Sequence, residues 1–157
     1  MSVANISILG LRIMTDSDLR QLFDRNEITD VLIRYATAID HKDWDLLSAV
    51  FVDGADCDYT PLGGERAAFP AICRWLTEAL SGFATQHMLT NYVIEVEGDL
   101  ATARTYLQAT HTPTDETGAR SLTFKGTYVD GLIRTSAGWR IQHRTLYSHD
   151  HSPPEVA

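Results

Sequence analysis

From residue 85 to residue 149 the chain alternates. The runs TQHMLTNYVIEVE, ATARTYLQATHT, SLTFKGTYVDGLIRT and WRIQHRTLYSH follow one another, separated by GD, PTDETG and SAG. Period-2 runs joined by short turn-forming segments predict consecutive antiparallel strands. A sheet of that length needs a partner to cover one face, and only the preceding part of the chain can supply it.

That part reads as helical. In TDSDLRQLFDRNEITDVLIRYATAID, Thr15, Asp16 and Ser17 are all good N-caps, and Leu19, Leu22, Phe23, Ile28, Leu32, Tyr35 and Ile39 keep the helical period. DWDLLSAVF predicts a second short helix capped by Asp43, and GADCDYT a short strand with Ala55, Cys57 and Tyr59 on one face. PLGG is a turn. AAFPAICRWLTEALSG predicts a helix with Pro70 in its first turn and Gly82 closing it. Helices first and sheet after predict an α+β class: a cone-shaped half-barrel of curved, mostly antiparallel sheet, closed by the N-terminal helices, its mouth holding a small molecule.

The chain has 157 residues, 44% hydrophobic and 22% charged, which predicts a single domain spanning 1–157 with its own core. Residues 1–15 read as an arm packing on the domain or a neighbouring subunit, and 150–157 as a flexible tail. A net charge of -8 argues against nucleic acid and against an acidic membrane surface as partners. No apolar run approaches the roughly 18 residues of a membrane span. Cys57 and Cys73 read as buried thiols in a reducing cytoplasm, too few for a zinc knuckle.

Four side chains stand out. Leu32, Ala36 and Asp40 form a ladder with a step of four along the apolar face of the first helix, which aims a carboxylate where carbon is expected. Such a group either turns to solvent at the helix end or finds a buried partner. His111 shares its strand face with Ala101, Ala103, Thr105, Leu107 and Ala109, small residues that leave room for a cavity. His87 shares a face with Leu89, Asn91 and Val93, while Met88, Tyr92, Ile94 and Val96 make the opposite face apolar, so this strand is expected to be covered on both sides. Tyr59 ends a strand before PLGG, as an aromatic lid or a hydrogen-bond donor. No HExxH, CxxC, GxSxG or phosphate-loop pattern accompanies them, so neither metal nor cofactor is expected.

The motifs AIDHKDWDLL, DCDY, TQH, ATHTP and FKGTYVDGLIRTSAGWRI, spread from Asp18 to Tyr147, resemble the SnoaL-like group of the nuclear transport factor 2-like superfamily, and within it the scytalone dehydratases. The resemblance implies catalytic positions for Asp40, Tyr59, His87 and His111. Ile39 stands where those enzymes carry a second tyrosine, and Tyr128 and Asp130 are both candidates for their late-strand asparagine. Ile39, Asn91, Tyr128, Asp130 and Tyr35 make up the expected substrate-binding set. The implied activity is a cofactor-independent, dehydratase-type lyase acting on a small apolar cyclic or aromatic carbonyl compound. An isomerase, cyclase or dehydrohalogenase using the same dyad, or a non-catalytic small-ligand-binding domain, is the alternative. The resemblance also implies a homodimer or homotrimer.

Overall fold

The capping residues near the start of the chain decide where its first helix begins. The computed structural model describes residues 14–115 and 119–149; most of the expected arm, and the tail, lie outside them. Thr15 accepts from the Asp18 N–H while the Asp18 carboxylate takes the Thr15 N–H, a reciprocal cap that starts α1 (Asp16–His41). Lys42, in the left-handed region with φ 58°, ends it and turns the chain into α2 (Trp44–Ser48), which Asp43 caps through the Leu46 N–H. The strands β1 (Phe51–Asp58) and β2 (Arg66–Ala68) come next, then α3 (Ala71–Ala79). The long meander follows as β3 (Phe83–Glu97), β4 (Leu100–Pro113), β5 (Leu122–Thr135) and β6 (Gly138–Ser148).

All six strands form one curved, unclosed sheet in the order β2-β1-β6-β5-β4-β3. Every pairing is antiparallel except β1 with β6, which run parallel with Cys57 opposite Arg144. The helices line the concave face. Ile28, Val31, Leu32, Tyr35, Ala38 and Ile39 of α1 pack there against Ala103, Leu107, Leu132 and Ile141 of the sheet. Each large side chain buried in this way stabilises the fold by roughly 1.5–3 kcal/mol.

Three local expectations are corrected. The stripe on α1 loses its cover toward the N-terminus: Phe23 is 67% exposed and Leu22 57%, because only the later turns of the helix lie on the sheet. Residues 66–68 form an edge strand, so α3 starts at Ala71 with Pro70 as its N-cap, and it ends at Ala79, with Leu80 rather than Gly82 closing it. Strand β3 is covered on one side only. It bulges between Thr90 and Val93, where Asn91 has φ 53°. The extra residue inverts the alternation, so Val93 is 55% exposed and Ile94 4%.

Candidate active site

Helix α1 lies along the edge strand β3, and an edge strand presents backbone groups with no strand to pair them. Asp40, on the last turn of α1, meets that edge. One carboxylate oxygen accepts the His87 backbone N–H at 2.9 Å, and the other lies 2.7 Å from His87 Nδ1. The sequence's question about Asp40 is thereby answered: its partner is an imidazole held at both backbone and ring. The His87 side chain is 6% exposed, while that of Asp40 is 21% exposed and borders an outer groove with Thr37 and His41, so water reaches the carboxylate and screens the pair in part. Burial pushes the Asp40 carboxyl up, but the ring and backbone hydrogen bonds from His87 outweigh it, and the group ionises below the usual carboxylate range. With an ionised carboxylate accepting at Nδ1, the ring carries its proton there and leaves the Nε2 lone pair for other chemistry.

His87 borders a cavity of about 100 Å³ inside the cone. Its walls are Ile39, Leu107, Ala109, Phe124 and Leu146, with Trp75 and Leu76 of α3 and its C-cap Leu80 along one side. His111 enters from β4, its ring centre 5.9 Å from that of His87 and 4.9 Å from Phe124. Burial, then the neighbouring His87 and Lys42, push the His111 imidazole down to about 4, so it is neutral at pH 7. Lys42 itself is tied to the Ile39 carbonyl and to Thr85 Oγ1.

Beside His87, beginning with Tyr35 whose ring centre is 6.5 Å from that of the imidazole, lies a cluster of phenols. The Tyr35 hydroxyl is 3.1 Å from that of Tyr59 and 3.4 Å from that of Tyr128. Burial raises the ionisation of Tyr59 and Tyr128 far above the ordinary phenol value, so both keep their protons. Ile39 lines the cavity as a hydrocarbon, and Tyr35, one turn earlier, brings a second phenol to Tyr59. Gly64 makes this corner possible: a Cβ there would stand 2.7 Å from the Trp75 ring and 2.8 Å from Tyr59.

The structure thus brings Tyr35, Ile39, Tyr59, His87, His111 and Tyr128 around one cavity, with Asp40 behind His87. Two expected residues are elsewhere. Asn91 sits on the bulge, exposed, in an outer groove beside Val93 and Tyr106. Asp130 is buried beyond the cavity wall in a two-pronged ion pair with Arg144, at 2.7 and 2.8 Å. Alternation places Asp130 inward but is silent about its partner, which comes from the next strand. The walls from Trp75 and Phe124 went unnoticed because nothing separates a cavity aromatic from a core aromatic in sequence. Among the described residues no three His, Cys, Asp or Glu side chains gather as a metal site.

The family model for the SnoaL-like domain matches residues 20–145. The uncharacterized protein Rv2910c of Mycobacterium tuberculosis is 38% identical over 127 residues, covering 79% of this chain and 84% of its own. A Novosphingobium aromaticivorans structure, provisionally named an aromatic ring hydroxylase, superposes with a TM-score of 0.75 at 28% identity, covering 82% of this chain and 91% of its own. Another from that organism, provisionally named a scytalone dehydratase, gives 0.72 at 24% identity, covering 92% and 99%. At that identity the second likeness shows the fold alone.

Proposed function

The chain belongs to the SnoaL-like domain family of the nuclear transport factor 2-like superfamily, and from that premise we propose that it is a cofactor-independent lyase that removes water from a small cyclic or aromatic carbonyl compound. The observation that carries this reading is the 2.7 Å contact between His87 Nδ1 and Asp40 at the wall of an apolar cavity. His87 Nε2 takes a proton from the carbon next to the carbonyl. The electron pair moves onto the carbonyl oxygen, which Tyr59 and Tyr35 meet as hydrogen-bond donors. When the carbonyl re-forms, the C–O bond at the β-carbon breaks, a C=C bond forms, and the departing hydroxyl takes its proton from the His87 imidazolium. Asp40 stabilises that imidazolium and fixes the ring. His111, neutral, orients the hydroxyl.

The neutrality of His111 favours a second reading, isomerisation. With His111 too weak an acid to assist the departure of a hydroxyl, the His87 imidazolium returns its proton to another carbon of the same substrate. The small cavity supports a substrate of one ring or a compact bicycle under either reading. A second copy of the chain on the outer sheet face is also proposed, supported by the exposed Met88, Val93, Tyr106 and Tyr147.

A thermal-shift screen of alicyclic and aromatic ketones finds ligands, and turnover of the hits is then measured in variants. His87→Ala and Asp40→Asn are each expected to lower the rate by about 10²–10⁴ while binding persists. Ligands that bind but are never turned over by the wild type would make this a binding domain instead.

A further inference from the structure

Behind the phenol cluster, out of reach of the cavity, lies a fully buried cation. Arg144 is 0% exposed and stays charged: burial pulls its ionisation down, but the charge and hydrogen bonds of Asp130 more than offset this. Its Nε and Nη2 donate to Asp130, while Nη1 has no hydrogen-bond partner among the described residues. A structural ion pair gains nothing from an idle buried donor, which costs about 1–3 kcal/mol. The guanidinium instead stands over two of the phenol rings, its central carbon 4.0 Å from the ring centres of both Tyr35 and Tyr128. Tyr35 in turn is the hydroxyl that joins Tyr59 and Tyr128.

A cation over an aromatic face draws on its electrons. For a phenol this weakens the O–H bond and makes the hydroxyl a stronger donor. The electrostatic pull of Arg144 on Tyr59 and Tyr128 has this sign, opposing the rise that burial causes. We propose that Arg144 is a positioning residue that acts through Tyr35 and Tyr128 to turn the phenol cluster into a binding site for a negatively charged oxygen, with Asp130 setting how much of its charge is felt. The oxygen is that of an enolate, so the purpose of the device rests on the elimination reading above; its existence does not.

The probe is 4-nitrophenol, which ionises near neutrality and reports its own charge by visible absorbance. The proportion of bound phenolate to bound phenol is measured at neutral pH in the wild type and in His87→Gln, so that an ion pair with the base is not its source. Both are expected to hold the anion in preference. Arg144→Met combined with Asp130→Leu removes both charges without stranding either, a replacement that folds tolerate, and should lower the bound phenolate-to-phenol ratio about tenfold. Asp130→Asn alone should raise it, which a purely structural pair would not do, and Arg144→Lys should restore part of what the double variant loses. A wild type that binds only the neutral phenol overturns the proposal without any variant. So does a folded double variant with the wild-type ratio. Neither result depends on turnover, whereas unchanged turnover in His87→Ala would sink the elimination and leave the anion site standing.

Discussion

His111 enters the cavity without charge, and this has a consequence for stability that can be read with no substrate. Its ionisation is displaced from 6.5 to about 4 in the folded chain. Between those values the unfolded chain binds a proton that the folded chain refuses, so stability falls as pH drops from about 6.5 toward 4. His111→Gln should remove that part of the slope, measured as urea unfolding free energy across the interval. Asp40 has the opposite sign of usefulness. Its depressed ionisation contributes stability above the ordinary value of 3.8, lost as pH falls below it. The gap between wild type and Asp40→Asn should therefore narrow in strong acid. Asp40 was legible in the sequence because a carboxylate broke an apolar ladder. Arg144 was not: strict alternation from Trp139 and Ile141 puts it outward, a bulge at Gln142 turns it inward, and only the register of β5 with β6 brings Asp130 to it.

The element that most resisted a reading from sequence is β3. Its first half keeps His87 and Leu89 inward and its second half Tyr92, Ile94 and Val96, and one extra residue separates the two phases. Both halves look apolar, so strict alternation turns a bulge into a strand buried on both faces. Asparagine tolerates the left-handed backbone at this position, and a β-branched residue does not. Asn91→Val should cost about 1–3 kcal/mol, whereas Asn91→Gly should be close to neutral, both read from urea midpoints. The value of the bulge is to keep the His87 half of the strand against α1 while the other half covers the core. The order and antiparallel pairing of the four meander strands were legible from the turn-forming segments between them, whereas the bulge inside β3 was not.

For the molecule as a whole, the size of the cavity sets what can enter. At about 100 Å³ it lies below the usual range of ligand pockets, and α3 with Trp75 forms the wall that would have to yield. Single-ring ketones should raise the melting temperature more than fused tricyclic ones, and Trp75→Ala should shift the preference toward the larger ligands in the same screen. The α+β class, the helices on the concave face and the meander followed from periodicity. The parallel contact of β1 with β6 did not, because it joins residues far apart in the chain and no local pattern marks it. That contact has a bearing on biosynthesis. Asp40 and His87 can meet on the ribosome as soon as β3 has emerged, but β1, which delivers Tyr59, has no berth in the sheet until β6 is made. By this topology the base needs only α1 and β3, whereas the phenol corner waits for three more strands, β4, β5 and β6, before β1 has its place in the sheet.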